Sequence, residues 1–337
     1  MKYKISREFF PFSHFKPPIG RRFLAIAARF MKTPRWLFKD RDIECLRHRL
    51  KSFDGAEIEL LMIYPRGLRG GTVCAIRDGE KPLADGQQGG LDRPRAGERL
   101  PCLVYFHGGG FVLEAAGYHY KNAVRYARDA GCAVAFAQYR LAPKHPHPIF
   151  FEDCYSAVAW VFEKADSLGV DRYRIGLGGD SAGGTLAVGV SMMLRDRAHR
   201  MKPLFLMLPY PYLDARNNSD SARRFTDTPM WNSRLSEKIG PMTAADRGRG
   251  DFVYYSPLEA RSFAYLPFAY IETAEFDCLH DDGVLFAGLL RAEGIEAELN
   301  ETRGTMHGFD IVRGARATAL ALDARIAFMK RKFYGEA

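Results

Sequence analysis

A serine enclosed by glycines at residues 178–184, Gly-Gly-Asp-Ser-Ala-Gly-Gly, follows a short apolar strand pattern at Ile175 and Leu177 and opens a helical pattern running to Asp196. A serine on so sharp a strand-to-helix turn is forced out of the sheet, with its hydroxyl exposed and the next backbone N–H aimed at whatever binds there. Gly179 and Gly183, two residues either side of Ser181, fall where the turn brings neighbouring backbone too close for a side chain. Ser181 therefore stands in a nucleophile's position. A phosphate loop would need G-x-x-x-x-G-K-[ST]; Gly178 and Gly183 have that spacing, but Gly184 and Thr185 follow where Lys and Ser/Thr belong. A dinucleotide fingerprint starting at Gly176 and Gly178 would need glycine at position 181 and meets Ser181. Serine as a plain helix cap stays open until partners for the hydroxyl are found.

The rest of the chain supplies a setting for such an elbow. Two strand-like runs, Ile43 to Lys51 and Ala56 to Tyr64, flank Asp54-Gly55, a strong hairpin signal. Cys102 to Phe106 and Cys132 to Tyr139 are continuous apolar runs of the kind found in strands buried on both faces. Later strands are expected at Leu204 to Leu208, Phe268 to Thr273 and Ala297 to Glu301, with helices at Tyr120 to Ala130, Phe151 to Lys164 and 281–291. Strands alternating with helices require a mostly parallel, doubly wound α/β sheet with right-handed crossovers, here of about eight strands. Two stretches do not fit a crossover. Residues 65–101 lose periodicity and read as a long, mobile surface loop, while 212–262 are polar, irregular and rich in Arg, Asp and aromatics, which suits a lid.

Composition narrows the function classes. An apolar fraction of 47% and a charged fraction of 26% belong to an ordinary soluble domain, and no run of eighteen apolar residues is present to span a bilayer. Six cysteines form no C-x-x-C pair, so they read as reduced and structural, which places the protein in the cytoplasm. The apolar run Phe23 to Ala28 is too short for a signal-peptide core. Residues 1–40 hold ten Lys/Arg against Glu8 and Asp40, a surplus of eight that leaves one of the total +9 for everything after them. That arm also carries Phe9, Phe10, Phe12, Phe15, Phe23, Phe30 and Trp36, enough apolar surface to fold over a pocket, and no nucleic-acid motif accompanies its charge.

In a parallel sheet the functional groups gather beyond the carboxyl ends of the strands. Asp277 lies just past the strand at 268–273, His307 in the loop after the last strand, and His107-Gly108-Gly109-Gly110-Phe111 at the end of an earlier one. Serine, acid and histidine occur in the chain order of the α/β-hydrolases, and the glycine run supplies unhindered backbone N–H groups of the kind an oxyanion hole needs. A metal hydrolase on His145, His147, Glu152 and Asp153 lacks any recognised ligand spacing, with each histidine followed by proline.

HGGGF at 107–111, YRLAP at 139–143, GDSAGG at 179–184, EFDCLHDDG from Glu275 and MHGF around His307 together resemble the hormone-sensitive-lipase-like (bacterial family IV) esterases of the α/β-hydrolase fold. The resemblance runs from about residue 100 to the C-terminus. It implies carboxylester hydrolysis by Ser181, Asp277 and His307, an oxyanion hole from Gly108, Gly109 and the Ala182 N–H, and supporting roles for His107, Gly110 and Asp180. It further implies a helical cap from residues 1–42 and 212–262 on a catalytic domain of 43–337, with no cofactor and no metal. The expected partner is a small ester of short to medium acyl length; nucleic acid and integral membrane association are excluded, and a homodimer is allowed. An amidase with the same triad, or a ligand-binding relative without turnover, are the alternatives. Departures are Cys278 where the family has proline, Leu113-Glu114-Ala115 where a glycine is common, and the length of the 65–101 loop.

Overall fold

The Asp54-Gly55 pair closes its hairpin as the dipeptide requires. Gly55 takes φ +80°, the Ala56 N–H donates to Asp54 Oδ1 at 3.1 Å, and β1 (Ile43–Lys51) pairs antiparallel with β2 (Glu57–Pro65) from Lys51 opposite Glu57 outwards. The computed structural model describes residues 2–10, 12–20, 23–24, 31–67, 99–197, 200–244 and 246–335. Most of the expected 65–101 loop, Cys74 and part of the N-terminal arm lie outside these.

Beyond the hairpin come β3 (Leu100–Phe106), β4 (Ala133–Gln138), β5 (Val170–Gly179), β6 (Phe205–Pro209), β7 (Phe268–Phe276) and β8 (Ala297–Met306). They form one eight-stranded sheet in the order β1-β2-β4-β3-β5-β6-β7-β8. Only the β1–β2 and β2–β4 pairings are antiparallel; β4 through β8 are parallel neighbours. The expected doubly wound α/β-hydrolase sheet is the one observed.

Helices cover both faces, which is why β3 is buried along its whole length. On one side α1 (Gly117–Ala130) and α8 (Arg316–Tyr334) bury Tyr120, Tyr126, Leu322 and Phe328 against Tyr105, Phe136 and Tyr270. On the other, α2 (Ile149–Lys164), α3 (Ala182–Asp196) and α7 (His280–Ala292) contribute Phe151, Val158, Leu186 and Phe286 to the larger core.

The stretch read as irregular holds three short helices: α4 (Asp220–Arg224), α5 (Ser233–Thr243) and α6 (Phe252–Tyr255). Local capping explains two of them. Ser219 Oγ accepts from the Ala222 N–H at 3.2 Å, and Asn232 Oδ1 from the Leu235 N–H at 3.1 Å. A fully buried cation, Arg325 of α8, pairs with Glu272 of β7 and with Asp310.

Candidate active site

Ser181 ends the turn between β5 and α3 at φ 55°, ψ −120°. That is a left-handed conformation a non-glycine residue keeps only when its surroundings hold it there. Here they do. The Ser181 N–H donates to Pro209 O at 3.0 Å, and Ser181 O accepts from the N–H groups of Gly184 and Tyr212. The reason for glycine at 179 and 183 is close approach: a Cβ on Gly183 would stand 2.0 Å from Phe106 O, and one on Gly179 2.4 Å from Gly183 O.

Beyond β7 and β8 the two other predicted residues meet the serine. His307 Nε2 lies 2.8 Å from Ser181 Oγ, and His307 Nδ1 lies 2.6 Å from Asp277 Oδ2. An ionised Asp277 only accepts, so Nδ1 carries the imidazole proton and Nε2 is left to accept from the hydroxyl. Asp277 is fully enclosed, whereas Ser181 and His307 are each 6% exposed, at the floor of a cavity. Asp277 Oδ1 accepts from the Leu279 N–H at 3.0 Å, fixing the carboxylate within its own turn. Tyr210 packs its ring against His307, with centroids 5.0 Å apart, and donates its hydroxyl to Asp310 at 2.6 Å.

The glycine run needs one correction. The Gly108 N–H, expected as an oxyanion donor, already donates to Asp180 Oδ1 at 3.2 Å. Asp180 also accepts from Tyr105 at 2.6 Å and pairs with His119 Nε2 at 3.1 Å, so it ties the loop after β3 to the elbow. Burial opposes charge on Asp180, but His119 and Tyr105 more than offset this and hold its carboxyl well below the usual range. The Gly109, Gly110 and Ala182 N–H groups make no protein hydrogen bond among the described residues. Gly109 takes φ +118°, and a Cβ there would lie 2.8 Å from Leu113 O. The donors free to meet an oxyanion are therefore those of Gly109, Gly110 and Ala182.

His107, the first residue of the run, is fixed by its neighbours. It stacks on Tyr139 with centroids 4.5 Å apart, and its Nδ1–H donates to Gly108 O at 2.8 Å. Burial, then the neighbouring His119, push its pKa down to about 3. An unfolded histidine titrates near 6.5, so between that pH and about 3 the unfolded chain binds a proton that folded His107 refuses. Its contribution to stability is intact above pH 6.5 and drains as pH falls, by up to roughly 1.4 kcal/mol per pH unit. Denaturant midpoints followed from pH 7 to 4 should thus fall more steeply in the wild type than in His107→Gln. Parallel curves for the two proteins would contradict this.

Sequence reasoning missed most of the walls. A cavity of about 220 Å³ above Ser181 is lined by Phe15, Pro17, Ile19, Phe23 and Met31 of the N-terminal arm, and by Tyr118, His119, Tyr210, Met230 and Trp231. Only the aromatic richness of 1–40 and 212–262 signalled them. Three of the four residues weighed as metal ligands are otherwise engaged. Asp153 binds Ser52 and Arg140, Glu152 pairs with Arg197, and His147 packs among Phe151, Phe252 and Tyr255. The described cysteines are free thiols, with Cys45 and Cys102 pushed up to about 12 by burial. Among the described residues no helix is long and apolar enough to cross a membrane.

A family model described as alpha/beta hydrolase fold matches residues 103–311. The esterase LipI of Mycobacterium tuberculosis is 34% identical over 211 residues, 62% of this chain and 65% of that protein. The carboxylesterase NlhH of the same species is 33% identical over 246 residues, 72% of this chain and 76% of that one. Among solved structures, a bacterial heroin esterase superposes with a TM-score of 0.75 at 26% identity, covering 93% of this chain and 90% of its own.

Proposed function

We propose that this chain, which belongs to the α/β-hydrolase-fold family, is a serine carboxylester hydrolase with Ser181 as nucleophile, His307 as general base and acid, and Asp277 as the carboxylate that orients it. The observation that carries the reading is the relay at the elbow, 2.8 Å from Ser181 Oγ to His307 Nε2 and 2.6 Å from Nδ1 to Asp277. The names of LipI and NlhH, an esterase and a carboxylesterase, support it.

His307 Nε2 takes the hydroxyl proton as Ser181 Oγ attacks the ester carbonyl. Negative charge then develops on the carbonyl oxygen, where the Gly109, Gly110 and Ala182 N–H groups can receive it; one such donor is worth roughly 3 kcal/mol. The imidazolium, stabilised by Asp277, returns the proton to the departing alcohol and leaves an acyl-serine. Water, deprotonated by the same imidazole, releases the acid and restores the hydroxyl. The groups needed for these steps are all the chain's own; in this reading the enzyme is cytoplasmic, uses no cofactor and acts on small esters of short to medium acyl length. Residues 1–42 and 212–262 serve as its cap on a catalytic domain of 43–337.

The test is covalent labelling of Ser181 by a fluorophosphonate together with turnover of p-nitrophenyl acetate and p-nitroacetanilide. Labelling with faster ester than anilide cleavage is the expected result. Faster anilide cleavage would make it an amidase, and absence of both labelling and turnover would remove the catalytic assignment.

A further inference from the structure

Two unequal spaces meet at Ser181, and the position of His307 says which half of an ester enters each. A tetrahedral intermediate on Ser181 has three of its four directions assigned: to Oγ, to the oxyanion donors, and to the leaving oxygen that His307 Nε2 must protonate. The acyl substituent takes the fourth, away from His307. The larger space, about 220 Å³, has His307, Gly308 and Ile311 in its wall, together with Phe15, Ile19 and Phe23. The smaller, about 10 Å³, is enclosed by Phe111, Ala182, Tyr212, Trp231, Ser236 and Ile239, and His307 has no part in it.

We infer that this chain is an acetyl esterase for esters of apolar alcohols, with Trp231 as the wall that limits the acyl group. The inference rests on the serine-esterase reading above and narrows its acyl range to the lower end. A space of about 10 Å³ holds roughly one water-sized group, which a methyl fills and a longer chain does not.

The wall is fixed from behind. The Trp231 indole N–H donates to Ser236 Oγ at 3.0 Å, and the Trp231 carbonyl accepts from Thr228 Oγ1 at 2.8 Å. Its ring presses on the loop that carries the oxyanion donors: a Cβ on Gly110 would lie 2.6 Å from Trp231 and 2.9 Å from Ile239. All three wall residues are buried, Trp231 at 8%, Ser236 at 5% and Ile239 at 4% exposure, and the indole, which also borders the larger space, is held by its bond to Ser236. Residues of 212–262 close the acyl side, while on the alcohol side the N-terminal arm supplies apolar lining together with Met230 and Trp231.

The experiment is a p-nitrophenyl ester series of two to eight acyl carbons on the wild type, Trp231→Ala and Ile239→Ala, with benzyl acetate on Phe15→Ala. In the wild type kcat/KM should drop at least about tenfold from acetate to butyrate and further to octanoate, because each methylene that fails to fit is worth about 10- to 200-fold. Trp231→Ala, and more weakly Ile239→Ala, should raise the butyrate-to-acetate ratio, the former by at least about tenfold. Phe15→Ala should raise KM for benzyl acetate and leave that acyl ratio within about twofold. A wild-type profile that is flat or rises with chain length overturns the inference without any variant having to fold. So does a Trp231→Ala enzyme, active on acetate, with an unchanged ratio. Failure to hydrolyse every ester in the series would instead bring down the esterase reading beneath it.

Discussion

Replacing Ser181 by alanine should lower kcat for p-nitrophenyl acetate by roughly 10⁴- to 10⁶-fold, with His307→Ala close behind and the double mutant no worse than either single one. The reason is that the two side chains act as one unit. Without Oγ there is no atom to carry the acyl group, and without His307 Nε2, 2.8 Å away, there is no base to take the hydroxyl proton. Asp277→Asn should cost less, about 10⁴-fold, because the asparagine amide can donate to Nδ1 and turn the proton onto Nε2, the tautomer that cannot accept from serine. The residual rate in all these variants is what the free N–H groups of Gly109, Gly110 and Ala182 supply by themselves. Circular dichroism and thermal melts should match the wild type for Ser181→Ala, since removing one oxygen from an already strained φ 55° residue leaves the elbow's backbone bonds in place. A Ser181→Ala enzyme within tenfold of wild-type kcat would remove serine from the mechanism.

The parts of this site that sequence exposes are those whose chemistry is local. Gly179 is required by the backbone of Gly183 one turn away, although Gly183 itself is required by Phe106 O at the end of β3, and Asp277 and His307 follow directly on the ends of β7 and β8, so chain order alone places them. Other features depend on contacts between distant segments, and these were not legible. Which of three adjacent glycines keeps its N–H free is decided by Asp180, 72 residues along the chain, which takes the N–H of Gly108. The narrowness of the acyl side depends on Trp231 reaching Gly110, and neither residue carries a local mark of that meeting. Helix α8 went unread for a different reason. Its buried positions 318, 321, 322, 325, 326, 328 and 329 have helical spacing, but two of them are Thr318 and Arg325, and an arginine at a core position breaks the apolar stripe by which a helix is recognised.

That same arginine carries the largest stability effect expected in the molecule. Arg325 is fully buried, with Nη2 2.5 Å from Glu272 Oε1, and Nη1 2.8 Å from Asp310 Oδ2 and 3.0 Å from the Tyr126 hydroxyl. Burial works against its charge, and Glu272 chief among its neighbours more than offsets that, so its pKa stands above even the ordinary arginine value. Arg325→Met leaves two carboxylates enclosed without their cation, and breaking a buried pair in this way costs about 3–5 kcal/mol, or a melting temperature lower by roughly 10 °C. Arg325→Lys should recover only part of the loss, because a point charge on a shorter fork cannot hold Glu272 and Asp310 together. Combining Arg325→Met with Glu272→Gln and Asp310→Asn removes the stranded charges and should restore much of the stability, whereas a merely steric role for the arginine would leave the triple variant as unstable as the single one. Activity should respond separately. Asp310 also accepts from Tyr210, whose ring rests on His307, so loosening Asp310 frees the imidazole's support without touching Asp277 or Ser181. The single variant, assayed well below its melting point, should therefore lose kcat by a few-fold while labelling of Ser181 by a fluorophosphonate slows in proportion; an unchanged labelling rate would confine the Arg325 network to stability alone.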